Sequence, residues 1–237
     1  MTWIKICGIT NLDDALAAID AGADALGFVF YDKSPRRVDA RRVREIGKQV
    51  PKGIEKIGVF VMTSDVDLEF MSNEAQLTGC QLHKNVNGTA VEDKLPSGEF
   101  LVLPKGKFHP GRNIYISLPA GWLLNEKGYR GLGSSKGVDN EISALFIDSG
   151  HGDLPGGTGQ TFNWERLQPA IQCLSLKFKV VVAGGLTPRN VTEAMSILRP
   201  WGVDVSSGVE TKPGKKDPKK MRAFIKAVRE ADKANSN

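Results

Sequence analysis

The strongest constraint on this chain is a rhythm. Short apolar runs alternate with longer amphipathic ones at both ends of the sequence. Residues 3–7, 25–30, 54–61, 80–83, 144–148, 179–183 and 203–206 read as strands. Residues 12–21, 39–50, 65–73, 164–173, 187–198 and 217–231 carry helical periodicity, with Asn11 placed to cap the first helix and Pro188 in a first turn. Strands covered on both faces read as continuous apolar runs, and alternation with helices implies a parallel sheet. Seven clear strands and one in the middle make eight. A single α/β domain over residues 1–237, a (βα)8 TIM barrel of the usual ~250-residue size, fits best. A doubly wound sheet is the alternative.

The rhythm weakens around strands 4–5, where an irregular region is expected. Residues 84–143 hold many Gly and Pro and little periodicity. Either 100–103 or 113–118 supplies the fifth strand, and the second is the better candidate. The polar stretch 230–237 is expected to fray.

Charge and cysteine content narrow the function. The net charge of +5 comes from scattered Lys and Arg with few aromatics, so neither a basic patch nor a nucleic-acid motif is present. Cys7, Cys80 and Cys173 are far apart, with no zinc spacing and no disulfide framework. No apolar run approaches the ~18 residues of a membrane span, and no signal-peptide pattern opens the chain. These features favour a cytoplasmic protein with a small-molecule partner, no metal, no nucleic acid and no membrane.

A barrel carries its active site at the C-terminal ends of its strands. The first strand ends at Cys7 and the sixth at Asp148, and closure of the barrel sets these across the mouth from one another. A base and an acid on opposite sides of a ligand suit proton movement between neighbouring atoms. Taken singly, Cys7 also reads as a small buried hydrophobe and Asp148 as a structural carboxylate. Two glycine-rich turns, "AGGLTP" at 183–188 and "SSGVE" at 206–210, follow strands seven and eight, where barrels grip phosphate. Together they point to a phosphorylated ligand. "GDLPGGTGQTF" at 152–162 is a candidate cover for it, or a plain surface loop. Arg36 and Arg37 follow strand two, where an arginine can grip a carboxylate or simply meet solvent.

"KICGIT", "GADALGFVFY", "QLH", "GGTGQTF", "GGL" and "DVSSGVE" together resemble the phosphoribosylanthranilate isomerase family of tryptophan biosynthesis, over residues 3–83 and 144–228. The resemblance implies a (βα)8 barrel without cofactor or metal, acting as monomer or homodimer. It implies an Amadori rearrangement of N-(5-phosphoribosyl)anthranilate. By position, it makes Cys7 the general base, Asp148 the general acid and Arg36 the contact to the substrate carboxylate. Gly184, Gly185, Ser206, Ser207 and Gly208 become the phosphate grip. The chain departs from the family at Lys84, where glycine usually follows "QLH", at Asn163, where "FDW" becomes "FNW", and through the longer segment after Lys84. A histidine-pathway aldose–ketose isomerase is a related alternative, but it would carry an aspartate in place of Cys7. A non-catalytic phosphate-ligand or RNA-binding protein is another, with no need of Cys7 or Asp148.

Strand parity adds one expectation. Lys5 shares a face with Cys7, and Asp204 with Ser206, on strands that adjoin once the barrel closes. Lys5 and Asp204 should therefore meet inside it.

Overall fold

In a computed structural model describing residues 1–61, 65–83, 112–124, 142–149 and 161–234, the apolar runs form eight strands. These are β1 (Trp3–Cys7), β2 (Ala25–Val29), β3 (Glu55–Val61), β4 (Gly79–His83), β5 (Asn113–Pro119), β6 (Ala144–Asp148), β7 (Val180–Val182) and β8 (Gly202–Val205). They hydrogen-bond in chain order and β1 closes on β8, all in parallel, to make a (βα)8 barrel. The doubly wound alternative is thereby removed. β4 and β5 pair in regular register from Gly79↔Asn113 to His83↔Ser117, so the second candidate supplies the fifth strand. The segments 84–111 and 125–141, where irregularity was expected, lie outside the described residues.

The helices are α1 (Leu12–Ala21), α2 (Ala40–Gly47), α3 (Asp65–Glu74), α4 (Trp164–Ser175), α5 (Val191–Leu198) and α6 (Pro218–Ala234). Side-chain caps start several of them. Asn11 Oδ1 accepts from the Asp14 N–H at 2.9 Å, and Asp39 from Arg42 at 2.8 Å. Asn163 accepts from Arg166 at 2.9 Å, so asparagine here meets the capping need that an aspartate would. α5 begins at Val191, later than expected. Asn190 accepts from the Thr187 N–H at 2.7 Å and donates to the Gly185 carbonyl at 3.0 Å, which holds 187–190 as a separate turn.

The polar C-terminal stretch does not fray at residue 230. α6 runs on to Ala234 because Thr2 donates through N–H and Oγ1 to Asp232, and Arg229 reaches the Thr2 carbonyl. No described helix is long and apolar enough to cross a membrane.

The period of two along each strand divides the apolar residues into two cores. Outward-facing Ile4, Ile6, Leu26, Phe28, Leu145 and Ile147 meet the buried helix faces, such as Val43, Ile46, Ile171 and Phe224. Inward-facing Ala25, Ile57, Tyr115, Ala144, Phe146 and Val181 fill the barrel's N-terminal end, capped by Trp3 and Trp201 stacked at 5.3 Å. The Val, Leu, Ile and Phe side chains among these contribute ~1.5–3 kcal/mol each on burial. The apolar plug occupies the lower interior, so the polar inward residues, Lys5, Gln81 and Asp204, lie above it toward the strand ends.

Candidate active site

Cys7 is the last residue of β1, inward-facing and almost fully buried. Its neighbour across the ladder is Gly27 on β2. A β-carbon on Gly27 would stand 2.8 Å from Cys7 Sγ and 2.9 Å from Lys5 Cε, so glycine there leaves room for both side chains. Lys5 sits opposite Asp204 in the β1–β8 register, and its Nζ donates to Asp204 Oδ1 at 3.0 Å with both groups buried. Lys5 and Asp204 thus meet inside the barrel, as strand parity predicts. Burial presses the Lys5 ammonium down, but Asp204 and the thiolate form of Cys7 more than reverse it and hold lysine above its ordinary value. Burial pushes the Cys7 thiol up, and the positive charges of Lys5 and Lys216 pull against that rise.

Asp148 closes β6 on the same inward parity as Phe146, two strands beyond β8. Ser149 Oγ donates to its Oδ1 at 3.4 Å. The negative charge of Asp148 reaches Asp204 and, after burial itself, helps to raise that carboxyl. His83, ending β4, accepts from Gln81 Nε2 at 3.2 Å. Burial, reinforced by the Lys5 charge, lowers its imidazole to about 4, so it stands neutral in the mouth at neutral pH.

The two glycine-rich turns interlock. Gly184 (φ +79°) and Gly185 (φ +64°) adopt the left-handed conformation that only glycine takes without strain. A β-carbon on Gly184 would lie 2.4 Å from the Ser149 backbone nitrogen. One on Gly208 would lie 1.9 Å from the Leu186 carbonyl oxygen, so the turn after β8 rests directly on the turn after β7. Ser207–Val209 form a single 3-10 turn after Ser206. The covering segment suggested for 152–162 falls almost wholly outside the described residues.

Arg36 reaches the same mouth from the loop after β2. A β-carbon on Gly8 (φ +76°) would stand 2.6 Å from Arg36 Cδ, so the arginine crosses the bare backbone next to Cys7. Its Nε and Nη2 donate to the two carboxylate oxygens of Glu210 at 2.9 and 2.8 Å. Arg37 instead points outward to Asp32. Glu210 opens a small hairpin of β9 (Glu210–Lys212) and β10 (Lys215–Lys216) that sequence periodicity did not reveal. Glu210 closes the "SSGVE" motif, but neither it nor Lys216 carries a role on sequence grounds; both are charged side chains that the fold buries.

With this geometry in view, likeness to known proteins is decisive. The model of the family described as "N-(5'phosphoribosyl)anthranilate (PRA) isomerase" matches residues 4–102 and 135–227. The chain belongs to this family. An N-(5'-phosphoribosyl)anthranilate isomerase of Geotalea uraniireducens is 39% identical over 230 residues, covering 97% of this chain and 99% of that one. The crystal structure of the phosphoribosyl anthranilate isomerase of Thermotoga maritima superposes with a TM-score of 0.74 at 31% identity, over 97% of this chain and 100% of that chain. Another solved isomerase, in complex with reduced 1-(o-carboxyphenylamino)-1-deoxyribulose 5-phosphate, gives a TM-score of 0.72 at 31% identity, over 97% and 100% of the two chains. The protein is an isomerase of tryptophan biosynthesis, and its substrate is N-(5'-phosphoribosyl)anthranilate.

Proposed function

We propose that Cys7 and Asp148 carry out the Amadori rearrangement as base and acid, and that the ligand lies between a phosphate grip and Arg36. The observation that carries the reading is the placement of Cys7. Its sulfur ends β1 on the inward face, packed beside a buried lysine and across the mouth from the carboxyl that ends β6. Asp148 gives its proton to the ribose ring oxygen. The bond from that oxygen to C1′ breaks, and the nitrogen lone pair forms an iminium. The Cys7 thiolate takes the C2′ proton, and the freed electron pair makes a C1′–C2′ double bond while neutralising the nitrogen. The resulting enolamine gains a proton at C1′ and loses one from its C2′ hydroxyl, giving the ketone. Atoms and charge balance without an outside reactant.

The main chain at Gly184, Gly185, Ser206, Ser207 and Gly208 holds the phosphate, since tight glycine turns after β7 and β8 present backbone N–H groups to an anion. Fixing both ends of the substrate sets the sugar between base and acid. The same reading makes residues 1–237 one domain, in a cytoplasmic enzyme that is a monomer or a homodimer. A solved Thermotoga maritima relative is described as mutually generated monomers of a dimeric phosphoribosylanthranilate isomerase. Sedimentation would distinguish the two states here.

Cys7→Ala tests the central assignment. Turnover, followed as loss of anthranilate-type fluorescence, should vanish, while affinity for the reduced product and the melting temperature stay near those of the parent. Near-normal turnover in this variant would remove Cys7 as the base.

A further inference from the structure

Glu210 is buried, charged and close to the mouth, and the mechanism above makes no use of it. Its carboxylate is a hub. Oε1 accepts from Arg36 Nε at 2.9 Å, from Lys216 Nζ at 2.9 Å and from the Gly214 N–H at 3.3 Å. Oε2 accepts from Arg36 Nη2 at 2.8 Å. Burial pushes this carboxyl up, yet Arg36 and Lys216 together hold it below the usual glutamate range. Lys216 also donates to the Ser206 carbonyl at 3.1 Å, which fixes the hub to the turn after β8.

The donor inventory of arginine gives the hub a meaning. A guanidinium has five N–H donors arranged along three edges. Glu210 occupies the edge made by Nε and Nη2. That leaves the end-on edge, with one proton each from Nη1 and Nη2, as the remaining two-donor edge; the other Nη1 proton turns back toward Cδ. A free arginine would present any edge from many rotamers; one held along its side presents a single edge in a single direction. The cluster also sets two basic side chains, Arg36 and Lys216, against the one carboxylate of Glu210, with side chains 12%, 0% and 4% exposed; burial presses the Lys216 ammonium down and Glu210 works against that. A largely buried excess of positive charge favours an anion beside it.

We infer that Glu210 is the positioning residue of the carboxylate subsite: it spends the side edge of Arg36 so that the end-on edge meets the aromatic carboxylate of the substrate, and Lys216 anchors it. The inference rests on the reading of Arg36 as the carboxylate contact.

Two variants of opposite character test it. Glu210→Gln keeps the shape but loses the charge and one acceptor, whereas Glu210→Asp keeps the charge but withdraws it from the arginine. Calorimetry would measure three ligands: the reduced product, its counterpart lacking the ring carboxyl, and inorganic phosphate. Each variant should weaken the reduced product by about 10- to 100-fold, the loss typical of misdirected charge-assisted hydrogen bonds. The other two ligands should bind as before, and KM should rise with kcat little changed. Positioning and simple charge predict opposite signs for Glu210→Gln, since removing a negative charge should by itself tighten an anion. Tighter or unchanged binding of the reduced product, or equal weakening of all three ligands, would overturn the proposal. Arg36→Ala is the control on the underlying reading. If it too fails to separate carboxylated from decarboxylated ligand, the Arg36 assignment falls; if it separates them and the Glu210 variants do not, only the positioning role falls.

Discussion

Lys5 and Asp204 face each other across the β1–β8 seam and join at 3.0 Å inside the barrel, directly beneath Cys7. The pair bridges the seam and charges the surroundings of the Cys7 sulfur at once. Lys5→Met should therefore act twice. It leaves a buried carboxylate without its partner, which typically costs about 3–5 kcal/mol. It also removes a positive charge that pulls the Cys7 thiol down. A base must be deprotonated to work, so the rate rises with pH through its pKa. Without Lys5 that pKa climbs, and the acidic limb of kcat/KM should move to higher pH. Chemical denaturation and a pH–rate profile would check the two effects separately. An unmoved limb in a folded variant would show that Lys5 serves the seam alone.

Asp148→Asn tests the proposed acid apart from the proposed base. Asparagine keeps the shape and a hydrogen bond but transfers no proton. kcat should fall by about 10²–10⁴-fold, the usual contribution of a general acid, with KM little changed. The alkaline limb of the profile should vanish and the acidic limb should remain. Retention of both limbs would place the acid elsewhere.

Gly208→Ala probes the interlocked turns. The new methyl would fall 1.9 Å from the Leu186 carbonyl, a backbone atom that cannot swing aside. Inorganic phosphate and phosphorylated ligands should all weaken together, whether or not they carry a carboxylate. Selective loss of carboxylated ligands alone would contradict this assignment of the turn.

His83 makes a prediction in the opposite direction of pH. Its folded-state value of about 4 lies below the ordinary 6.5, so the folded protein binds the proton less readily than the unfolded chain. Neutral His83 thus adds stability above pH 6.5, and that contribution is lost as pH falls from 6.5 through about 4. The amount is on the order of 2 kcal/mol after allowance for its partial exposure. The slope of stability against pH in that window should flatten in His83→Gln. An imidazole resonance titrating near 6.5 in the native protein would contradict the burial argument.

What was readable beforehand follows physical lines. Period and parity are properties of the backbone, so the strand count, the barrel, the inward side of Cys7 and the Lys5–Asp204 pair could all be drawn from residue spacing. The length of α6 could not, because residues 230–234 are polar and stay helical through contacts with Thr2 at the far end of the chain. The hairpin of β9 and β10 was hidden for a similar reason. Its five residues have no hydrophobic pattern, and its place is set by charges that pair with Arg36 in a distant loop and with Asp14 in α1. Arg36 was found as a candidate grip, but the partner that fixes its orientation lies 174 residues away in sequence.

The seam between β1 and β8 also sets when activity can begin during synthesis. Cys7 and Lys5 leave the ribosome well before Asp204 and both turns that meet at Gly208. Long-range parallel pairing of this kind is slow to form, because loop entropy is lost before the contacts return it. A nascent chain lacking β8 would hold Lys5 in an apolar interior with no carboxylate opposite. Turnover in a translation time course is thus a clock for closure: it should appear in one step, after the last strand has docked.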